Sequence, residues 1–141
     1  MSIRKATPDD YGEIKDLLDE LGYPGTADFL QGRIECIVNH PDADLYVYET
    51  EKNIVAFIAL NYILQLALPG DFALISYFAV HHSWHRKGIG KEMEAFCVEL
   101  ARQRNCDRIE VHCQERRKEA HWFYIRRGYR ESPKYFVKSL I

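Results

Sequence analysis

Apolar residues recur every three or four positions at Tyr11, Ile14, Leu17, Leu18 and Leu21, with Glu13, Asp16, Asp19 and Glu20 between them. That spacing predicts an amphipathic helix. Thr7-Pro8-Asp9-Asp10 leads into it with a capping residue, a proline suited to the first helical position and an acidic first turn. Residues 3–6 before it read as a short strand. Gly22-Tyr23-Pro24-Gly25 breaks the helix, and Thr26 can cap a second one with the stripe Phe29, Leu30, Ile34, Ile37 and Val38, ended by Asn39-His40-Pro41. The pattern then turns rich in Val, Ile and aromatics: residues 45–50 and 54 to about 66 predict a hairpin across Glu51-Lys52-Asn53. Pro69-Gly70-Asp71 turns the chain into residues 72–80, a mostly apolar strand expected to be buried on both faces.

Helical spacing returns at Ile89, Met93, Phe96, Cys97, Leu100 and Ala101 and closes near Asn105. Residues 107–113 read as a strand, parallel to 72–80 because a helix intervenes, through a right-handed crossover. A fourth helix is expected over residues 115–127, stopped by Gly128, and a closing strand over 135–140. The order β-α-α-β-β-β-α-β-α-β predicts an α/β (α+β) fold with a mixed sheet. The 141 residues suit a single domain, residues 1–141, and carry no repeat or linker.

Composition narrows the partners. A net charge of −2 and a pI near 6.3 give no global case for nucleic acid, although basic residues cluster in the second half. The longest apolar run, residues 54–68, contains Asn61 and Gln65 and is too short and too polar to span a membrane. The start shows no signal-peptide pattern, so a cytoplasmic location is expected. Cys36, Cys97, Cys106 and Cys113 lack any Cys-x-x-Cys spacing and read as reduced thiols, Cys36 and Cys97 in the core. Ile63, Leu64, Leu66 and Leu68 suggest either a homodimer contact or a core strand.

The most informative chemistry lies in His85-Arg86-Lys87-Gly88-Ile89-Gly90-Lys91, a basic, glycine-bearing turn joined to the start of a helix. The first amides of a helix have no intrahelical partner and sit at the positive end of its dipole. Glycines let an anion reach those amides, and Arg86, Lys87 and Lys91 add charge. The run lacks the Gly-Lys-Ser/Thr of a nucleoside triphosphate loop, and Met93 stands where a dinucleotide fold would want a third glycine.

The turn after Phe78-Ala79-Val80, and Ala120-His121-Trp122-Phe123-Tyr124-Ile125-Arg126-Arg127-Gly128-Tyr129 beyond it, resemble the two motifs of the GNAT superfamily of N-acetyltransferases. The likeness covers essentially the whole chain. It implies a single GNAT-type domain: a mixed central sheet of about six or seven strands with splayed fourth and fifth strands, and helices on both faces. It also implies acetyl-CoA as co-substrate, held by the main chain of Phe78, Ala79 and Val80 and by a pyrophosphate turn of His85, Arg86, Lys87, Gly88, Ile89, Gly90 and Lys91. Direct acetyl transfer to a primary amine of a small molecule is then expected, with a backbone N–H near Val80 stabilising the oxyanion and Tyr124 as general acid to the leaving sulfur. Read without the likeness, Tyr124 is an aromatic of an amphipathic helix.

The chain departs from the family in three places. His85 stands where Gln or Arg is usual. Arg117 stands where many members carry an Asn on the pantetheine arm, so a guanidinium reaching phosphate is the alternative. An Arg-rich lead of this kind, with Glu131-Ser132 and Lys138, resembles the aminoalkylphosphonate acetyltransferase branch. No carboxylate lies between Phe72 and Val80 to serve as base, and an alkylamine of pKa about 10.4 is almost wholly protonated at pH 7. His112 is the first candidate, then Glu110, or Tyr77 or Ser76 relaying a water; a hydrogen-bonded strand histidine is an equal reading of His112. His81, His82 and His85 invite a metal reading with His112 and Cys113 as distant partners, but loop histidines without a carboxylate or a Cys-x-x-Cys frame read as polar loop residues, and no metal is expected. Cys113 reads as packing rather than an acetyl carrier. The acceptor pocket is expected around residues 21–29, 66–71 and 131–135. Asp19, Glu20 and Asp28 would suit a cationic acceptor, and Arg116, Arg130 and Lys134 an anionic one. The alternative function is a non-catalytic acyl-CoA-binding module of the same fold.

Overall fold

The computed structural model describes residues 2–51, 53–112, 117–132 and 136–141. Strand β1 (Ser2–Lys5) is followed by a 3-10 turn at Pro8–Asp10 and helices α1 (Tyr11–Leu21) and α2 (Leu30–Val38). Then come β2 (Ala43–Thr50), β3 (Asn53–Ile63), β4 (Phe72–Val80), α3 (Ile89–Gln103), β5 (Arg108–Val111) and α4 (Lys118–Arg126). Gly22 closes α1 in the left-handed region at φ 104°, as the Gly-Tyr-Pro-Gly break implies.

The strands line up in the order β1-β2-β3-β4-β5, antiparallel except for the β4–β5 pair, which the α3 crossover makes parallel. Helices cover both faces. Ile14, Leu17, Leu18, Leu30 and Ile34 from α1 and α2 pack on Leu45, Val47, Phe57 and Ala59. On the opposite face Ile89, Met93, Cys97 and Ala101 of α3 pack on Ala56, Ile58, Leu60, Ala73 and Ile75. Alternation along β3 thus feeds two cores, which is why its sequence is apolar almost throughout.

Among the described residues the sheet has five strands, fewer than the six or seven expected. Residues 136–141 carry no strand, and Phe136 and Leu140 are 96% and 90% exposed; Tyr135 lies outside the described residues. Strand propensity forms a strand only where an edge supplies a ladder, and that context is invisible in the segment itself. Strand β3 ends at Ile63, and Leu64 and Leu66 stand in solvent. The loop after it is instead tied to β5: Gln65 Nε2 donates to the Gly70 carbonyl at 2.7 Å, and the Gly70 N–H to Asp107 Oδ2 at 2.8 Å. Cys97 is buried but Cys36 is exposed on the outer side of α2, contrary to its expected core place. The fourth helix begins at Lys118, later than expected.

Two features of β4 shape the site. It pairs with β5 through Phe72–Ile75 against Arg108–Val111, so residues 76–80 run on with no strand partner on that side among the described residues. Across β3, Ala59 faces Tyr77 while Leu60 faces Ile75, which makes Ser76 the extra residue of a β-bulge. Its hydroxyl bonds Asn61 Oδ1 at 2.9 Å. A bulge bends the strand and re-aims its side chains, and Tyr77 is accordingly 41% exposed rather than buried as expected for this strand.

Candidate active site

The unpaired half of β4 presents main-chain groups outward. His81 donates its N–H to the Val55 carbonyl on β3 at 2.7 Å, so strand alternation turns the N–H and C=O of Val80 and Phe78 to the other, open edge. The Val80 carbonyl there accepts from His85 Nε2 at 2.7 Å. A carbonyl can only accept, so this ring carries its proton on Nε2. Ala79 turns its methyl into the core under α1 and α2.

The basic turn follows. Arg86 and Gly88 both adopt left-handed conformations, at φ 62° and 83°. Gly88 is the residue before the first turn of α3, so the amides of that turn open beside it. Lys87 places its ammonium 4.8 Å from the centre of the Trp84 ring. Ile89 is buried, so it meets a ligand through main chain alone. A Cβ on Gly90 would lie 3.2 Å from Phe123 Cε1 and 3.9 Å from Val80 Cγ2, so the absence of a side chain brings α3 against α4 and the end of β4. Arg86 and Lys91 are exposed.

Where β4 and β5 part, a cleft opens. Its outer part, about 250 Å³, is lined by Tyr23, Leu74, Ile75, Ser76, Tyr77 and His112. A narrower part, about 30 Å³, continues inward to Phe78, Val111, Arg117 and Tyr124, with Leu21 on its wall. Tyr124, His112, Arg117 and Phe78, separated in sequence, are therefore brought to one cavity. The exposed rings of Tyr23 and Tyr77 meet edge to face at 5.2 Å and wall its mouth; the sequence points to Tyr77 and to residues 21–29 but not to this contact, because the bulge that turns Tyr77 outward leaves no local signal. Tyr124 is 9% exposed and packs edge-on against Phe123 at 5.3 Å and Tyr129 at 5.4 Å. His112 lies just past β5, its Nε2 4.0 Å from Glu110 Oε1. Glu110 bonds Arg108 at 2.7 Å, and Ser76 is held by Asn61.

Other expected contributors lie elsewhere. Of the segment 21–29, Leu21 and Tyr23 reach the cleft; the loop 66–71 is not among its lining residues. Asp19 pairs with Lys15 at 3.0 Å. Glu20 accepts from the His82 N–H at 3.1 Å and ring Nδ1 at 3.0 Å, with His81 Nε2 at 3.4 Å. Burial works to raise the Glu20 pKa, but the hydrogen bonds from His82 outweigh it and hold the carboxyl below its ordinary value. The ligand-type atoms of Glu20, His81 and His82 lie within 4.8 Å of one another, yet the Ser83 N–H points at His81 Nδ1 at 3.1 Å. With Nδ1 accepting there, Nε2 faces the carboxylate as a donor, so the cluster forms a hydrogen-bonded tie between α1 and the turn after β4. Arg130 is exposed. Cys113, Arg116 and Lys134 lie outside the described residues.

Among the described residues no helix is long and apolar enough to cross a membrane. Residues 11–129 match the family model described as "Acetyltransferase (GNAT) family". The chain is 27% identical, over 98% of its own length and 90% of the relative's, to aminoalkylphosphonate N-acetyltransferase of Salmonella typhimurium. It is similar in structure to a GNAT family acetyltransferase of Staphylococcus aureus, with TM-score 0.82 and 26% identity over 99% of this chain and 100% of that one. An aminoglycoside 6'-N-acetyltransferase of Acinetobacter haemolyticus shares the fold, with TM-score 0.84 and 16% identity over 100% of both chains.

Proposed function

Because the chain belongs to the GNAT acetyltransferase family, we propose that it is an acetyl-CoA-dependent N-acetyltransferase acting by direct transfer on a primary amine of a small molecule. The observation that carries this reading is the open edge of β4, which leads from the cleft beside Tyr124 straight to the glycine turn of α3. Acetyl-CoA supplies an activated acetyl thioester.

The chain has the parts to hold such a ligand. The outward main chain of Phe78 offers an extended amide-bearing arm the hydrogen bonds that an added strand would take, and the Val80 carbonyl beyond it is held by His85. The first amides of α3, with Arg86, Lys87 and Lys91, suit a pyrophosphate. Gly88, where a side chain would project into open space, leaves that approach clear. Arg117, at the start of α4 and on the cleft wall, would support the arm or the anion.

In the reaction, the Val80 N–H donates to the carbonyl oxygen on which negative charge builds, and Tyr124 gives its proton to the departing sulfur. A phenol of pKa about 10 and a thiol of about 8.5 are close enough for that transfer. His112, at the cleft rather than on β4, takes one proton from the acceptor ammonium to free the amine that attacks, and the second nitrogen proton returns to the Tyr124 oxygen as the amide forms. The cleft suits a small acceptor, and the Arg117 guanidinium on its wall favours one that carries an anionic group, in keeping with the name of the Salmonella relative. A cytoplasmic location goes with this use of acetyl-CoA.

Release of free thiol from acetyl-CoA, measured across a panel of primary amines that includes aminoalkylphosphonates and neutral alkylamines, tests the reading. Turnover with at least one small amine, cut about 100-fold by Tyr124→Phe, is expected. Full activity in Tyr124→Phe would remove the acid role, and no turnover with any amine would favour a binding module.

A further inference from the structure

Glu94 sits on the face of α3 that Ile89, Met93, Cys97 and Ala101 turn to the core, and it is 7% exposed. A carboxylate in that stripe carries a desolvation cost that an apolar side chain of similar volume would not. Its oxygen accepts a hydrogen bond from the Tyr129 hydroxyl at 2.9 Å. Burial and the neighbouring carboxylate push the Tyr129 phenol well up from its ordinary pKa, so the donor keeps its proton.

Tyr129 is also tied to α4. That helix closes with Gly128 in the left-handed region at φ 94°, the Gly128 N–H bonding the Ile125 carbonyl at 3.0 Å and the Tyr129 N–H bonding the Tyr124 carbonyl at 3.0 Å. This is the Schellman closure, in which the residue after the glycine packs against the third residue from the helix end. Here that pair is Tyr129 and Tyr124, their rings 5.4 Å apart at 67°. One residue thus touches Tyr124 by main chain and by ring, and is held by its hydroxyl to the helix whose first turn forms the anion site.

We propose that Glu94 is a positioning residue: through Tyr129 it fixes α4, and with it the Tyr124 phenol, relative to α3, so that acid and anion site are registered to one helix. The inference rests on the acid role given to Tyr124. Glu94→Leu and Tyr129→Phe are expected to lower kcat about tenfold or more while KM for acetyl-CoA stays within about threefold, because misplacement of the acid affects the chemical step. Glu94→Gln, whose amide oxygen still accepts from the phenol, is expected to restore kcat to within about threefold of the parent. Glu94→Leu should melt at or above the parent temperature, since the position is otherwise apolar, and a loss of kcat with the melt unchanged separates positioning from folding.

NMR of the free protein carrying ring-labelled tyrosine supplies a readout that needs no turnover. The Tyr124 signal, identified by its loss in Tyr124→Phe, should shift in Glu94→Leu and Tyr129→Phe and stay in place in Glu94→Gln. An unmoved Tyr124 signal in Glu94→Leu and Tyr129→Phe overturns the inference, as does parental kcat in both. If the signal moves while Tyr124→Phe stays fully active, the tie stands and the acid role falls.

Discussion

His85 donates its Nε2–H to the Val80 carbonyl at 2.7 Å, closing the end of β4 onto the turn that precedes α3. His85 thus holds the backbone of the strand it follows. Replacing His85 with Ala removes one hydrogen bond from that corner, about 1 kcal/mol of organisation. KM for acetyl-CoA is expected to rise about fivefold with kcat nearly unchanged, measured by steady-state thiol release.

His112 lines both parts of the cleft, and β4 carries no carboxylate to compete with it as base. The expected pH–rate profile of kcat/KM has an acidic limb that disappears or shifts in His112→Ala, together with a loss of about 100-fold at neutral pH. An unchanged limb in that variant would exclude His112 and direct attention to Glu110.

Gly90 is required by contact rather than by backbone conformation, since a Cβ there lies 3.2 Å from Phe123. Gly90→Ala should push α4 away from α3 and destabilise the protein by about 1–3 kcal/mol. Gly88→Ala acts by a different route, because φ 83° is strained for any residue with a Cβ, at a cost of about 1 kcal/mol. Urea denaturation measures both, and the KM for acetyl-CoA should rise with each.

Asp10 fastens β1 to the start of α1 through Arg4, whose Nη1 and Nη2 lie 2.9 Å from its two oxygens, while the Thr7 N–H donates to Oδ2 at 2.8 Å. Burial works to raise the Asp10 pKa, but Arg4 and Thr7 outweigh it and pull the carboxyl below its ordinary range. A carboxyl with a depressed folded pKa adds stability above its unfolded value, and that stability is lost as pH falls through the folded value. Asp10→Asn is expected to lower stability by about 1–3 kcal/mol at pH 7. The gap to the parent should narrow below about pH 4, as urea titrations at a series of pH values would record.

Periodicity and local chemistry determined much of this protein without any coordinates. The 3.6-residue spacing of Ile14, Leu17 and Leu18, and of Met93, Cys97 and Ala101, marks the buried faces of α1 and α3 because a helix repeats its own face wherever it packs. The limits of β4 matched the apolar run between Pro69-Gly70-Asp71 and the histidines, and α3 starts at the glycine turn because helix-start signals are local to it.

The tertiary structure decided what depends on partners distant in sequence. A strand at residues 136–140 needs an edge to pair with, and none is engaged; Cys36 needs its helix face to meet a core, and it does not. The outward turn of Tyr77 follows from a bulge defined by the register against β3. The tie between Glu94 and Tyr129, 35 residues apart, becomes visible only when α3 and α4 are packed together. Short-range backbone geometry is written in neighbouring residues, whereas pairing, burial and cross-helix hydrogen bonds are properties of surfaces that exist only once the chain has closed.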